Sequence, residues 1–568
     1  MSRLSKKEPS LCTAEPLKDG DVCRKLAVFK QMLASCFGPR GRLKQIHNNV
    51  GGQVQTTSTC AVLLKGVPMS HPILKLLAAS VSNHVSRFSD CGLFAAILSC
   101  SLIEHAQRLG VEASVVMRIY KHVLGVCVDY LSHEECGCKV CIDFSSSHTL
   151  LSLARSVITS KPACMVTSQE ALHISSLVVQ AFLQMIPCET GGSVRLGKVV
   201  LVSIEGHGAR ESAMFPGLMV DMPETLASAD LERLDQGQIK MVLFSVSLSG
   251  DLSETGEGTV EVGFRVHPET AILYQLLRVG EKMVSDRVDL FACQKVVHPV
   301  LKQYLKEHHV VVIDRLGISL MEPLTQMTGA QPIATIWSPV PAHCYGQLSG
   351  LRVQSFGSKQ MLNLVPAQDS AVCSLVLCHR NETMLSELKV VCQSAEHILR
   401  LTLRNPFALL GGGCMETHLA AYIRSKCCVG NVAAWSELGC SRSEYLLTVE
   451  SFCHSLEVVA RSLEHDGGQS LTDLSCGHRW VAPDTASADS QWKDLVSTCG
   501  CGWLGRREGV KWAVLGSQYP SFTPMLTEDG VSHNLVLDSF PAKLNALQVA
   551  VETANLIVDL QYIVQDVN

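Results

Sequence analysis

PETAILYQLLRVGEKMVSDRVDLFACQKVVHPVLKQYLKEHHVVVIDRL, residues 268–316, changes its hydrophobic period three times, from helix to strand, back to helix and again to strand. PETAILYQLLRVGEKMV and HPVLKQYLKEH carry apolar residues at helical spacing, whereas VDLFACQ and HVVVIDRL are short apolar runs of strand length. Strands alternating with helices make an α/β domain. Upstream, KVVLVSI (198–204), KMVLFSVSL (240–248) and VEVGFRV (260–266) extend the pattern. Outside residues 198–335 the character changes. KLAVFKQML (25–33), GLFAAILSCSLIEHAQRL (92–109) and KLNALQVAVETANLIVDL (543–560) read as helices, the second apolar almost all round, as in a buried helix. The expected fold is therefore an α+β multidomain chain in which an α/β domain is inserted into a mainly helical domain built from both chain ends. Residues 465–532, rich in Ser, Gly, Asp and Pro, read as a long irregular excursion.

At 568 residues and 47% hydrophobic, the chain is long enough for about three or four domains with their own cores. A net charge of −5 supplies no basic stripe for nucleic acid and no polybasic membrane patch. The polar start, MSRLSKKEPSLCTAEPLKDGD, has no apolar stretch of signal-peptide length, and no run reaches the ~20 residues of a membrane span. The reading is a folded, soluble chain of the reducing cytoplasm.

Twenty-five cysteines are scattered, many within apolar helical patterns, where a thiol behaves as a small hydrophobe. Two clusters stand apart: Cys136, Cys138 and Cys141 in ECGCKVC, and Cys499 and Cys501 in STCGCGW, with Cys476 and His478 nearby. Only Cys138 and Cys141 have the Cys-x2-Cys spacing that zinc favours, so no zinc is expected.

In RFSDCGLFAAIL (87–98), Asp90 stands just ahead of an apolar helix. It reads either as a helix cap or as a ligand in a metal–phosphate site. CFGPRGRLK places Gly38, Pro39, Arg40 and Gly41 after one helix, and LLGGGCMETHLAAYI places Gly411, Gly412 and Gly413 directly before another. Glycines admit close backbone approach to an anion, and helix-start N–H groups can cradle phosphate, although a turn or hinge has the same composition. GSVRLGKV matches phosphate-loop spacing through Gly192, Gly197 and Lys198. It continues into Val199 and a strand where that loop needs a hydroxyl and a helix, and reads as a decoy.

Taken in order, these motifs resemble the group II, or cytosolic ring, chaperonin family. FGPRGRLKQI resembles its LGP[RK]G segment, and VQTTSTCAVLLKGVPMSHPILKLL its V-T-I-T-N-D-G-A-T-I-L-K with the following H-P-x-x-K-L-L. SDCGLF lies where the family has G-D-G-T-T-T, and RSVITSKP resembles the S-S-K loop. FACQKVVHPVLKQYL with TGAQP resembles the V-x-C-Q-K and T-G-A segments. LGGGCMET resembles P-G-G-G-A-x-E, and SLEVVARSL A-L-E-x-I-P-R-x-L. The resemblance implies an equatorial domain from 1–150 and 404–568, a small intermediate hinge domain from 151–198 and 361–403, and an apical, client-binding domain from 199–360. It makes Gly38, Pro39, Arg40, Gly41 and Gly411–Gly413 a nucleotide cradle, Asp90 the ligand of a phosphate-bridging Mg2+, and Lys161 a hinge lysine that senses the terminal phosphate.

The departures from the family pattern are informative. Thr59 and Ser394 stand at the positions of the two aspartates that position metal and attacking water. Neither hydroxyl is a general base near neutral pH, and losing such a base typically costs about a hundred- to ten-thousandfold in rate. The segment around DGGQSLTDL and residues 476–532 replace the family's adenosine-contacting region. The resemblance reaches a chaperonin-like branch linked to Bardet–Biedl syndrome. It implies a factor assembling a multi-subunit ciliary complex, the BBSome, without efficient ATP hydrolysis. Its partners would be ring-chaperonin subunits, related Bardet–Biedl chaperonin-like proteins and BBSome subunits, at the centrosome, pericentriolar region and cilium base, with the nucleus as an alternative address. An ATP-dependent ring chaperonin folding cytosolic proteins is the competing reading. On the inserted domain, Ile272, Leu273 and Leu276 suit core or client surface, with core preferred.

Overall fold

The computed structural model describes residues 11–47, 54–187, 196–223, 226, 232–235, 237–251, 267–429, 434–465, 470–473, 476–481, 499–503, 512–514 and 535–565. The chain divides into two compact units, Met1–Val179 with Ser386–Asn568, and Gln180–Leu385.

The first unit is mainly helical. Its central helix, Gly92–Leu109, buries residues on every side, including Leu93, Phe94, Ile97, Leu98, Leu102 and Ile103, which is why its sequence lacks a polar face. Around it pack Gly20–Ala34, Pro72–Phe88, Arg442–Arg461 and Phe540–Val558. The two chain ends also meet as strands: Leu11–Ala14 pairs antiparallel with Tyr562–Gln565. Phe407–Leu410 is sandwiched between Lys139–Cys141 and Leu537–Ser539. It directs the chain into the helix Cys414–Ile423.

The span 465–532, expected to be irregular, contains a three-stranded antiparallel sheet of Arg479–Val481, Ser470–Asp473 and Trp512–Val514. These strands have three or four residues each, too short for period-2 alternation to register against so many Gly, Ser and Asp.

In the second unit a six-stranded sheet runs in the order Val311–Ile313, Leu290–Cys293, Ile239–Phe244, Gly346–Phe356, Lys359–Pro366, Leu218–Asp221. The first three strands are mutually parallel and the last three antiparallel. Met241 and Leu243 face one core and Val242 and Phe244 another, so both faces of this strand are covered and its sequence is continuously apolar. The 268–316 stretch folds as read: helix Pro268–Ser285, strand Leu290–Cys293, helix Pro299–Glu307, strand Val311–Ile313. Ile272 and Leu276 are buried in the second core and Leu273 is half-buried. The expected strand 260–266 lies outside the described residues.

Candidate functional site

Loops of the first unit enclose a cavity of about 350 Å³, within the ~300–1,000 Å³ usual for small-ligand sites. One wall is the turn after Gly20–Ala34, closed by Gly41 N–H donating to Gly38 O at 3.0 Å. Gly38 has φ +83°, and Leu463 Cδ2 lies 2.5 Å from where a Cβ would stand. His465 Nε2 donates to Phe37 O at 2.6 Å. A second wall is the triple-glycine turn between Phe407–Leu410 and Cys414–Ile423. Gly412 has φ +64° there, and Gly500 O lies 2.2 Å from its missing Cβ position. The third is Ser89-Asp90-Cys91, between Pro72–Phe88 and Gly92–Leu109, and the fourth is Ser160-Lys161 after Ser147–Thr159.

Asp90 is not a helix cap. Cys91 holds the N-cap position of Gly92–Leu109 and makes no side-chain capping bond. The Asp90 carboxylate instead faces Lys161 Nζ at 3.5 Å, while its backbone carbonyl accepts from His84 Nε2 at 2.9 Å. Burial disfavours the Lys161 charge, but Asp90 outweighs it, and the lysine pKa ends above its ordinary value.

The other acids lining the cavity also have internal cations. Lys543 Nζ reaches Glu416 at 2.7 Å and Asp538 at 2.8 Å and lies 4.1 Å from the Phe94 ring centroid. Arg479 Nη2 reaches Glu464 at 3.0 Å, and its Nη1 donates to Gly412 O at 3.1 Å. Burial opposes charge on Lys543 as well, yet its two carboxylates raise its pKa; burial raises the Asp538 carboxyl. Burial pushes the Cys60 thiol up to about 12 and Cys91 well above the usual range, so both stay protonated near neutral pH. The wall thus offers glycine turns, ion-paired acids and two unreactive thiols.

Thr59 also lines the cavity. Its hydroxyl donates to Glu387 Oε1 at 2.6 Å, and the same carboxylate accepts from Thr57 Oγ1 at 2.8 Å and Ser58 N–H at 3.1 Å. Glu387 is buried but does not line the cavity. Nor does Ser394, whose hydroxyl donates to Val390 O at 3.0 Å within its own helix. The cavity therefore gathers Gly38, Pro39, Arg40, Thr59, Asp90, Lys161, Gly412 and Gly413, but not Gly41, Gly411 or Ser394. Gly411 N–H is engaged by Val536 O at 2.8 Å. Sequence reasoning missed Glu387, Glu416, Arg479, Asp538 and Lys543. Asp538 and Lys543 stand five residues apart, a spacing no helix or strand period marks; the fold alone brings the other pairings together.

Residues 29–568 match the TCP-1/cpn60 chaperonin family. The chain belongs to this family. It is 49% identical over 572 residues to the molecular chaperone MKKS of Homo sapiens and 46% identical to that of Mus musculus, covering 100% of both chains in each case. The thermosome subunit alpha of Saccharolobus solfataricus is 24% identical over 469 residues, 79% of each chain. ATP and Mg2+ are thus the group against which this chaperonin cavity is to be tested. Gly38, Arg40, Lys161, Gly412 and Gly413 suit a phosphate chain and Asp90 suits its metal. Position 59 offers a hydroxyl rather than an acid, and that hydroxyl donates to Glu387.

The chaperonin's other sequence candidates fall elsewhere. Gly197 and Lys198 start the strand Lys198–Glu205 in the second unit, with Lys198 paired to Glu322 at 3.2 Å, and Gly192 lies outside the described residues. Cys136 and Cys138 are buried with sulfurs 3.5 Å apart, and Cys141 is exposed. Cys499, Cys501 and His478 gather instead around Cys414, four donors whose ligand atoms all lie within 4.8 Å of one another. Among the described residues no helix is long and apolar enough to cross a membrane.

Proposed function

We propose that this chaperonin-family chain assists assembly of a multi-subunit ciliary complex, the BBSome, holding ATP and Mg2+ in the phosphate cradle without efficient hydrolysis. The observation that carries the reading is the Thr59–Glu387 hydrogen bond. A threonine hydroxyl is no general base near neutral pH, and Glu387, the carboxylate it donates to, does not line the cavity, whereas hydrolysis needs a base to orient the attacking water. The molecular chaperones that resemble the chain end to end support the chaperone class. In this reading residues 199–360 are the apical client face, 151–198 with 361–403 a hinge, and 1–150 with 404–568 the nucleotide domain. Ring-chaperonin subunits, related Bardet–Biedl chaperonin-like proteins and BBSome subunits are its partners at the centrosome and cilium base.

The test has two parts. Purified protein with ATP and Mg2+ is expected to release phosphate no faster than buffer, and its native mass is expected to be that of a monomer or mixed complex. Steady chaperonin-like turnover in a symmetric homo-ring would replace this reading with the ATP-driven folding machine. That alternative is favoured by the retention of Asp90, Lys161 and the glycine turns in one cavity.

A further inference from the structure

Cys414, His478, Cys499 and Cys501 are each buried to within a few per cent of complete, and they come from three separate places in the sequence. Cys414 opens the helix that follows the triple-glycine turn. His478 precedes the strand Arg479–Val481. Cys499 and Cys501 flank Gly500, whose N–H donates to Arg479 O at 2.8 Å, while Trp480 and Cys499 form a β-bridge. The backbone therefore fixes the Cys-Gly-Cys turn against the His478 strand independently of any side-chain chemistry.

We infer that these four residues form a structural zinc site that staples residues 476–481 and 499–503 to the triple-glycine turn. Tetrahedral zinc with Zn–S near 2.3 Å and Zn–N near 2.0 Å has donor-to-donor edges of roughly 3.5–3.8 Å. His478 Nδ1 and Cys501 Sγ are 3.5 Å apart, Cys499 and Cys501 Sγ are 2.9 Å apart, and all four ligand atoms lie within 4.8 Å. Side-chain rotation alone can open the short edge and close the long ones. Trp503 N–H points at Cys501 Sγ at 3.4 Å, an outer-shell donor of the kind that steadies a metal-bound thiolate. Three sulfurs and one imidazole with no carboxylate among them favour zinc over a hard cation. The Cys-x-Cys spacing and the contribution of Cys414 explain why sequence spacing did not suggest the site.

The staple acts on the cavity wall. Gly500 O lies 2.2 Å from where a Cβ on Gly412 would stand, and Arg479, next to His478, donates to Gly412 O. Metal at this site holds both contacts in place, and its loss releases the wall that carries Arg479 and Gly500.

The experiment uses the full chain without a histidine tag, purified in reducing buffer and washed through metal-free buffer. Elemental analysis is expected to find about one zinc per chain, as for a closed structural site. Cys501→Ser is expected to lose most of it, whereas Cys136→Ser retains it. Because the first variant can unfold, the folded wild-type chain is also exchanged with Co2+ and is expected to show the absorption of a tetrahedral cobalt–thiolate centre. Substoichiometric zinc in the wild type, full zinc in folded Cys501→Ser, or a Cys499–Cys501 disulfide in peptides from the native protein would each overturn the assignment.

Discussion

Thr59 donates its hydroxyl to Glu387 Oε1 at 2.6 Å, joining two parts of the sequence that no local motif connects. Glu387 also accepts from Thr57 and from the Ser58 backbone, so the start of the helix Cys60–Gly66 is anchored on one buried carboxylate. Restoring the family's acid at position 59 therefore places a second carboxylate against Glu387. Like charges at hydrogen-bond distance in a buried site cannot both ionise without large cost. Thr59→Asp is expected to destabilise the protein by about 3–5 kcal/mol, the range for an uncompensated buried charge, and to produce no ATPase. Adding Glu387→Gln should recover most of the loss. Urea midpoints of the two single variants and the double variant measure the coupling; additivity would show that the two side chains do not interact as described.

The Asp90–Lys161 contact leads to a ligand-binding expectation. Under the proposed function, Asp90 without magnesium would repel a triphosphate and occupy Lys161, whereas with magnesium Asp90 would hold the metal and leave Lys161 to the phosphates. Asp90→Asn should therefore tighten binding of magnesium-free ATP, on the order of tenfold for ~1.4 kcal/mol of relieved charge interaction, and abolish any gain from added magnesium. Isothermal titration calorimetry with and without the metal separates the two effects. An unchanged magnesium dependence would remove Asp90 from the metal site.

How much of this was legible follows from where each signal resides. The helix Gly92–Leu109 and the helix–strand alternation of 268–316 were readable because apolar periodicity is local and long enough to average. Glycine turns were readable as composition, and Gly38, Gly412 and Gly413 do meet in the cavity. The ion pairs were not. Lys543 is one lysine on an apolar helix, and no helical or strand spacing marks Asp538, five residues earlier, or the distant Glu416 as its partners. Ser394 sits at the position of a family acid by counting, yet its hydroxyl turns back onto its own helix. Of the Cys414 cluster, Cys499, Cys501 and His478 stood together in the sequence, but Cys414 joins them only through tertiary contacts, as Glu387 joins Thr59.

Ser89 and Cys91 hold left-handed backbone, at φ 60° and 59°, on either side of Asp90, where the resemblance to chaperonins has glycine. Each non-glycine residue in that region costs roughly 1–2 kcal/mol, partly offset in glycine by its greater chain entropy when unfolded. Ser89→Gly is expected to stabilise the protein by roughly 0.5–1 kcal/mol, with Ser89→Ala giving no gain because alanine keeps the Cβ. Cys91→Gly should behave alike, less the small packing contribution of its sulfur. Thermal midpoints of the glycine and alanine variants decide it. Equal effects from both would mean that the backbone at position 89 is not left-handed.

His105 sets an acid limit on the helical unit. Burial pushes its pKa down to about 4, the nearby Glu104 only partly countering this and His454, Lys30 and Arg108 adding to the depression. Its Nδ1 is 2.8 Å from Ser455 Oγ, which joins Gly92–Leu109 to Arg442–Arg461. In the unfolded chain the imidazole titrates near its ordinary ~6.5. Between those values the unfolded state binds the proton that the folded state refuses, so stability is intact above about pH 6.5 and falls as pH drops toward about 4, by at most about 1.4 kcal/mol per pH unit. His454, whose pKa is raised chiefly by its hydrogen bond to Glu457, has the opposite sign: its contribution is present below pH ~6.5 and is lost as pH rises through its higher folded value. A difference measurement separates them. Urea unfolding across pH 4 to 7 should show a shallower acid slope for His105→Gln than for the wild type, with the two curves parallel above about pH 7. Parallel curves throughout would mean that His105 protonates as readily in the folded chain as in the unfolded one.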